Sequence, residues 1–129
     1  MNNDNLANVL SAIGNHERVS KPSLRSKHNT SVVRRVLDVL KAEGYIAGYA
    51  VEEDGRSGTI TVALTSKINS IGVIKPRFSV SATNFTKFEK RYLPARGFGV
   101  LIVSTPKGIM THELAKSEGL GGRLLAYCY

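Results

Sequence analysis

The chain of 129 residues contains one cysteine and no apolar run long enough to cross a membrane. A single thiol cannot form an internal disulfide, which favours a reducing compartment. Cys128 lies between two tyrosines near the end of the chain, a setting typical of a small core residue rather than of a nucleophile. Because a membrane-spanning helix needs about 20 apolar residues, the sequence predicts no membrane partner.

The sequence also lacks the residue groupings that metal and acid–base chemistry require. Three histidines are far apart, and none has a second ligand at metal-binding spacing: His16, His28 and His112. There is no Gly-x-Ser-x-Gly motif, and Ser104 has no evident base partner. The one dense acidic run, at 52–54, falls in a predicted hairpin loop, where solvated carboxylates are typical. We therefore predict no enzyme, no cofactor and no small-molecule substrate.

Acidic residues are scarce in the second half of the chain. The whole sequence has 18 Lys and Arg against 10 Asp and Glu, a net charge of +8. Residues 1–65 hold eight basic and seven acidic residues, whereas residues 66–129 hold ten and three. A small basic protein attracts polyanions, so a nucleic-acid partner is favoured over a merely soluble basic protein, and the second half should carry the contact.

Apolar spacing predicts a first lobe over residues 1–65. Apolar residues between Leu6 and Ile13 recur at i, i+3, i+4 and i+7, as on one face of a helix. A second helix is predicted to begin at a cap among Asn29, Thr30 and Ser31 and to end before Gly44. The remaining apolar segments are interpreted as strands at 19–24, 45–51 and 59–64. The predicted order is α-β-α-β-β.

Residues 66–129 predict a second lobe that is mostly β with one short helix. Strands are expected at 71–74, 77–81, 98–103 and 123–129, and a helix at 111–117. The stretch 84–92 is a polar, basic link; Phe85 and Phe88 are at i and i+3 there, so a helix is an open alternative. The predicted fold class is α+β, with two small lobes.

Two polar segments near the end of the second lobe are candidates for RNA contact. Ser104-Thr-Pro-Lys-Gly108 is predicted to be a loop after a strand; its hydroxyls suit sugar 2′-OH groups and base edges, and Lys107 suits a phosphate. A plain connection with Lys107 in solvent is the open alternative. Gly119-Leu-Gly-Gly122 lacks the Gly-Lys-Ser/Thr ending of a phosphate loop, so a helix cap leading into a tight turn is favoured. Such a turn is compatible with close approach of RNA.

Three ordered motifs resemble the universal small-subunit ribosomal protein S8 family. They are Asp4-Asn-Leu-Ala-Asn-Val-Leu-Ser-Ala-Ile-Gly-Asn15, Val39-Leu-Lys-Ala-Glu-Gly-Tyr-Ile46, and the ending from Ser104 through Gly122. The resemblance covers nearly the whole chain. It implies two lobes, no catalysis, and binding to a helix of the central domain of small-subunit rRNA during early assembly. Neighbouring small-subunit ribosomal proteins are the other implied partners.

The resemblance, together with the basic stretch of the second lobe, supplies the candidate RNA-binding residues. The family's Ser-Thr-x-Lys-Gly loop enters the minor groove of the RNA, and that role is implied here for the matching positions. The full candidate set is Ser104, Thr105, Lys107, Gly108, Gly121, Gly122 and Arg123, with Lys75 and Arg77, and with Asn5, Asn15, Asn29 and Thr30 in the first lobe.

Several positions depart from the family's pattern. Pro106 replaces a usual Ser, Arg123 replaces the Glu of bacterial members, Ser81 ends a stretch that usually carries Tyr, and Gly14 stands where Arg usually precedes Asn. These departures predict an organellar, mitochondrial ribosomal protein with an altered RNA site; a bacterial or plastid ribosome is the alternative.

The start of the chain resembles neither a signal peptide nor an Arg-rich transit peptide. We therefore expect one of three situations: the chain needs no targeting, a presequence has been removed, or the gene lies in the same compartment as its product. The alternative function is an extra-ribosomal regulator that binds messenger RNA or a protein.

Overall fold

The computed structural model describes residues 5–27, 30–52, 58–95 and 97–129. The chain divides into two units, Met1–Asn69 and Ser70–Tyr129. No helix among the described residues is long and apolar enough to span a membrane. The predicted α+β class with two lobes is confirmed.

The two helices of the first unit bury the apolar stripes that their spacing predicts. Helix α1 spans Asn5–Arg18, and its buried residues are Leu6, Val9, Leu10 and Ile13. Helix α2 spans Ser31–Ala42, and its buried residues are Val33, Val36, Leu37 and Leu40. Thr30 is the N-cap of α2: its Oγ1 accepts a hydrogen bond from Val33 N at 3.2 Å. Gly44, two residues beyond the helix, has φ +82°, a conformation that favours glycine.

Three antiparallel strands form the sheet of the first unit in the order β1-β3-β2. They are β1 (Ser23–Ser26), β2 (Ile46–Glu52) and β3 (Thr59–Leu64). The edge strand begins after Pro22, whose carbonyl oxygen accepts from Leu64 N at 2.8 Å. The edge strand predicted at 19–24 is therefore displaced toward the C-terminus, because Pro22 has no N–H to donate to a ladder.

Strand β8 (Gly122–Cys128) is the centre of the second unit's antiparallel sheet, which is ordered β4-β8-β6-β7. The other strands are β4 (Ile71–Val73), β5 (Ser79–Val80), β6 (Val100–Thr105) and β7 (Gly108–Thr111). Both β4 and β5 pair with β8. Two further backbone hydrogen bonds join the residues between β4 and β5 to β8: Ile74 N donates to Leu125 O, and Leu124 N donates to Phe78 O. Cys128 is buried in β8, as predicted for a core residue.

Two features of the second unit differ from the sequence prediction. The link at 84–92, for which a helix was an open alternative, is helical over Phe85–Tyr92 (α3), so the described part of this unit has two helices with α4 (His112–Ser117) rather than one. Gly108–Thr111 is a strand paired with β6 rather than part of a loop leading to α4. A four-residue strand between a turn and a helix is too short to show a clear period of two.

The core of the second unit lies between its helices and one face of the sheet. Phe85 and Phe88 of α3 and Ala115 of α4 pack with Leu101, Val103, Met110 and Leu124 of the strands. Val103 is paired with both Met110 and Leu124, so these three side chains lie on the same face of the sheet. We call this the core face.

Candidate nucleic-acid interface

The segment predicted to be a polar loop is a tight β-hairpin turn. Thr105 at the end of β6 is paired with Gly108 at the start of β7, which leaves Pro106 and Lys107 as the two turn residues. Both turn residues are exposed. Proline supplies the φ near −65° that the first turn position needs, and Gly108 has φ +127°, which side chains disfavour. The sequence thus presents a cation, Lys107, at the tip of a hairpin turn.

The Thr105 hydroxyl stabilises this turn from within. Its Oγ1 donates to the carbonyl oxygen of Gly108 at 2.8 Å and accepts from Lys107 N at 3.2 Å. Thr105 is only 8% exposed. The hydroxyl proton is therefore used inside the turn, and one lone pair remains for an outside donor. The RNA contact predicted for Thr105 stays a prediction.

The two glycines before β8 allow close packing of neighbouring backbones. A Cβ atom on Gly121 would lie 2.5 Å from Val80 O, and one on Gly122 would overlap Ser104 O. Gly119 follows the C-cap residue of α4; it has φ +68°, and a Cβ atom there would meet open space. The predicted cap and tight turn are present, and the protein's own packing accounts for Gly121 and Gly122.

A row of polar residues crosses the sheet next to these glycines. Arg123 of β8 is paired with Ser104 of β6 on one side and with Ser79 of β5 on the other. Directly opposite residues of paired strands point to the same face, and the row is adjacent to the row of Val103 and Leu124. Ser79, Arg123 and Ser104 therefore point away from the core face. Arg123 and Ser79 are exposed and Ser104 is half-buried.

The turn, the glycines and Arg123 meet at one shallow, open depression. It is lined by Ser79, Val80, Ser81, Pro106, Gly121, Gly122 and Arg123. Pro106 and Arg123, two of the predicted departures from the S8 pattern, thus line one surface. Their proximity is not evident from a separation of 17 positions in the sequence. We call this depression, with the Pro106-Lys107 tip, the turn surface.

Lys75 and Arg77 lie in the segment between β4 and β5, and both are exposed. Phe78, the next residue, donates from its N–H to Pro76 O at 2.9 Å. The Phe78 ring lies 5.3 Å from that of Phe88 in α3, so this segment packs beside α3. Arg77 is two positions from Ser79, which is paired with Arg123.

The described candidates of the first unit occupy helix ends. Asn5 is the first residue of α1, and Asn15 is exposed near its end, where it accepts from Arg18 Nη1 at 3.4 Å. Thr30 uses its hydroxyl to cap α2. Asn29 lies outside the described residues. RNA contact by these four residues stays a prediction.

A buried polar network in the second unit escaped prediction. His112 is 2% exposed; its Nε2 lies 2.8 Å from Glu89 Oε1, and its Nδ1 accepts from Leu101 N at 3.0 Å. Lys116 Nζ lies 2.7 Å from the same carboxylate oxygen. Nothing marked this contact in the sequence, because Glu89 and His112 are 23 positions apart. The part of the chain that the structure describes contains no group of three or more His, Cys, Asp or Glu suited to a metal ion.

Burial and hydrogen bonding set the charges in this network. Burial lowers the pKa of His112, against the opposing effect of Glu89. For Glu89, burial by itself raises the pKa, but the hydrogen bond from Lys116 and the proximity of His112 outweigh it, so its pKa lies below the ordinary value. Because Leu101 N–H donates to Nδ1, the neutral imidazole carries its proton on Nε2 and donates to Glu89. The network links α3, α4 and β6 and takes no part in the turn surface.

One known protein family matches nearly the whole chain. The model of the family described as Ribosomal protein S8 matches residues 4–129. The chain belongs to the ribosomal protein S8 family. As an S8 protein it is a small-subunit ribosomal protein that binds rRNA. The S8 family is a structural family rather than an enzyme family, and its partners are rRNA and ribosomal proteins within the ribosome.

Proposed function

We propose that this S8 protein binds a helix of the central domain of small-subunit rRNA through its turn surface and supports assembly of that domain. The observation that carries the proposal is the convergence of the Pro106-Lys107 tip, the glycine turn and Arg123 on one exposed depression. Lys107 and Arg123 supply two cations there, and Ser79 and Ser104 supply hydroxyls in the same row as Arg123. Cations hold phosphates, and hydroxyls can contact 2′-OH groups across a minor groove.

The departures from the family pattern support an altered mode of contact. Pro106 lacks the hydroxyl and the N–H that Ser would supply at the turn, and Arg123 places a cation where an acidic side chain would repel phosphate. Affinity in this protein should therefore depend more on phosphate contacts and less on hydroxyl contacts. A greater share of phosphate contacts makes binding more sensitive to salt.

The test is a salt-dependent titration with fragments that tile small-subunit rRNA of the protein's own compartment. We expect one central-domain fragment to bind tightly, and Lys107→Ala with Arg123→Ala to lower the slope of log affinity against log salt by about 2. Lys21→Ala with Lys67→Ala removes the same charge from exposed positions of the first unit and serves as the control. Unchanged binding by the Lys107/Arg123 variant would show that the turn surface is not the RNA site.

The departures also support a mitochondrial ribosome as the location. Fractionation of cells on a sucrose gradient tests it: the chain should sediment with the mitochondrial small subunit. Sedimentation with bacterial or plastid small subunits would instead place the chain in a bacterial or plastid ribosome. Recovery only in light fractions, bound to messenger RNA or to another protein, would indicate an extra-ribosomal regulator.

A further inference from the structure

Helix α3 presents a basic stripe on the side that faces away from the core. Lys87, Lys90 and Arg91 are at i, i+3 and i+4, so they lie on one face of the helix, and all three are exposed. Phe85 and Phe88, on the other side, are buried in the core of the second unit. The three cations lie within about 6 Å along the helix axis.

No carboxylate of the described structure forms a salt bridge with this stripe. Glu89 is the only acid of α3, and its carboxylate is bound by His112 and Lys116 on the α4 side. None of the three stripe residues forms a salt bridge with any described residue. Their charge is therefore available to a partner.

Aromatic rings hold two of the stripe's cations against the protein. The Arg91 guanidinium lies 5.2 Å from the centre of the Phe78 ring and 5.4 Å from that of Tyr92. Lys87 Nζ lies 5.6 Å from the centre of the Phe88 ring. Such contacts restrict a long side chain before it binds, so less conformational entropy is lost when a phosphate is engaged. A planar guanidinium held in place can bond a phosphate through two N–H groups.

The stripe and the polar row of the turn surface lie on opposite sides of the sheet. Helix α3 packs on the core face, together with Val103 and Leu124. Arg123 occupies the row that points away from that face. If one RNA helix binds the polar row that contains Arg123, the α3 stripe on the other side of the sheet should contact a different stretch of the RNA backbone.

We propose that the α3 stripe is a second RNA-contact surface, which binds the phosphodiester backbone of rRNA flanking the helix at the turn surface. This inference rests on the proposed function, because it assumes that the chain already engages rRNA through the turn surface.

RNA is favoured over an acidic protein because the stripe offers no apolar anchor. The exposed large apolar side chains of the second unit are Phe98 and Leu114, and neither belongs to α3. Specific protein interfaces centre on buried apolar or aromatic anchors.

The experiment uses the full chain and the tightest-binding rRNA fragment, prepared with and without its flanking nucleotides. For Lys87→Gln with Lys90→Gln, we expect the salt slope on the flanked RNA to fall by about 2 and Kd to rise roughly tenfold at 0.1 M salt. On the trimmed RNA the variant should match the unchanged protein. Arg91→Lys keeps the charge but loses the planar fork, so it should weaken binding to the flanked RNA about threefold with little change in slope.

Matched controls separate this surface from general charge effects. Gln is uncharged, is only one atom shorter than Lys and has a similar helix propensity, so the thermal midpoint should change little. Lys21→Gln with Lys67→Gln removes two charges from the first unit; an equal loss of affinity in that variant would overturn the assignment. If the α3 variant binds the flanked RNA as tightly as wild type while Lys107→Ala with Arg123→Ala weakens binding, the α3 stripe is not an RNA contact and the turn surface still stands. Failure of the unchanged chain to bind any fragment would instead refute the proposed function.

Discussion

The hydroxyl of Thr105 donates to the carbonyl oxygen of Gly108 at 2.8 Å, across the turn that carries Lys107. Thr105 Oγ1 also accepts from Lys107 N, so the Thr105 side chain is bonded to both Lys107 and Gly108 of the turn. The position of the Lys107 cation therefore depends on a residue that is itself almost buried. A change at Thr105 should act on RNA binding through the shape of the turn.

Thr105→Val keeps the side-chain shape and removes both hydrogen bonds. We expect a loss of about 1–2 kcal/mol in the free energy of unfolding, since each bond contributes about 1 kcal/mol. Amide hydrogen exchange at Lys107 should become faster. Thr105→Ser restores the hydroxyl and should recover most of the protection; slow exchange in the Val variant would show that the hydroxyl does not hold the turn.

Gly122→Ala should be among the most disruptive small changes in the second unit. The added Cβ would overlap the Ser104 carbonyl oxygen, which is backbone and cannot turn aside. We expect about 3 kcal/mol or more of destabilisation in denaturant unfolding, because overpacking forces strands apart. Gly119→Ala is the matched control: it has φ +68° but open space, so it should cost about 1 kcal/mol. Equal costs at the two positions would contradict the close approach of β6 and β8.

His112→Ala should destabilise the second unit by about 2–4 kcal/mol. The change leaves Leu101 N–H buried without its acceptor and opens space beside Phe85, whose ring centre is 6.3 Å from that of His112. His16→Ala is the control, because His16 is half-buried and its side chain bonds to Ala12 O within α1. A denaturant titration of both variants compares them, and similar midpoints would rule out a structural role for the network.

The lowered pKa of His112 predicts a specific loss of stability in mild acid. Burial disfavours the imidazolium in the folded state, while the unfolded chain takes up a proton near the ordinary pKa of 6.5. The free energy of unfolding should therefore be unaffected by this group above that pH and should fall as pH decreases below it. The slope should correspond to at most one proton.

The difference between wild type and His112→Asn isolates this effect from other titrating groups. Unfolding free energies measured from pH 7.5 to 5 should converge as the pH falls, because Asn can accept from Leu101 N without titrating. A constant difference across this range would show that His112 has the same pKa folded and unfolded.

Glu89 affects stability at lower pH: its stabilisation is present above about pH 4.5 and disappears as pH falls through its lowered folded pKa.

Local sequence patterns predicted most of the elements but not all of the contacts. The stripe from Leu6 to Ile13 and the Thr30 cap are properties of neighbouring residues, and the structure has both. Strand β7 was missed because four residues between a turn and a helix carry little periodicity. The basic link at 84–92 has a charged outward face and therefore a weak helical pattern, and it is the burial of Phe85 and Phe88 that makes it a stable helix.

Local spacing and composition were enough to predict the α+β class, the concentration of positive charge in the second half, and motifs of the S8 family, whose model matches residues 4–129. Three relationships depend on the folded chain: Arg123 lies between Ser79 and Ser104, Pro106 shares its surface, and the Glu89 carboxylate is bound by His112 and Lys116 rather than by the cations of α3. Spacing along the chain sets which face of an element is apolar, but strand register and helix packing set which distant side chains meet.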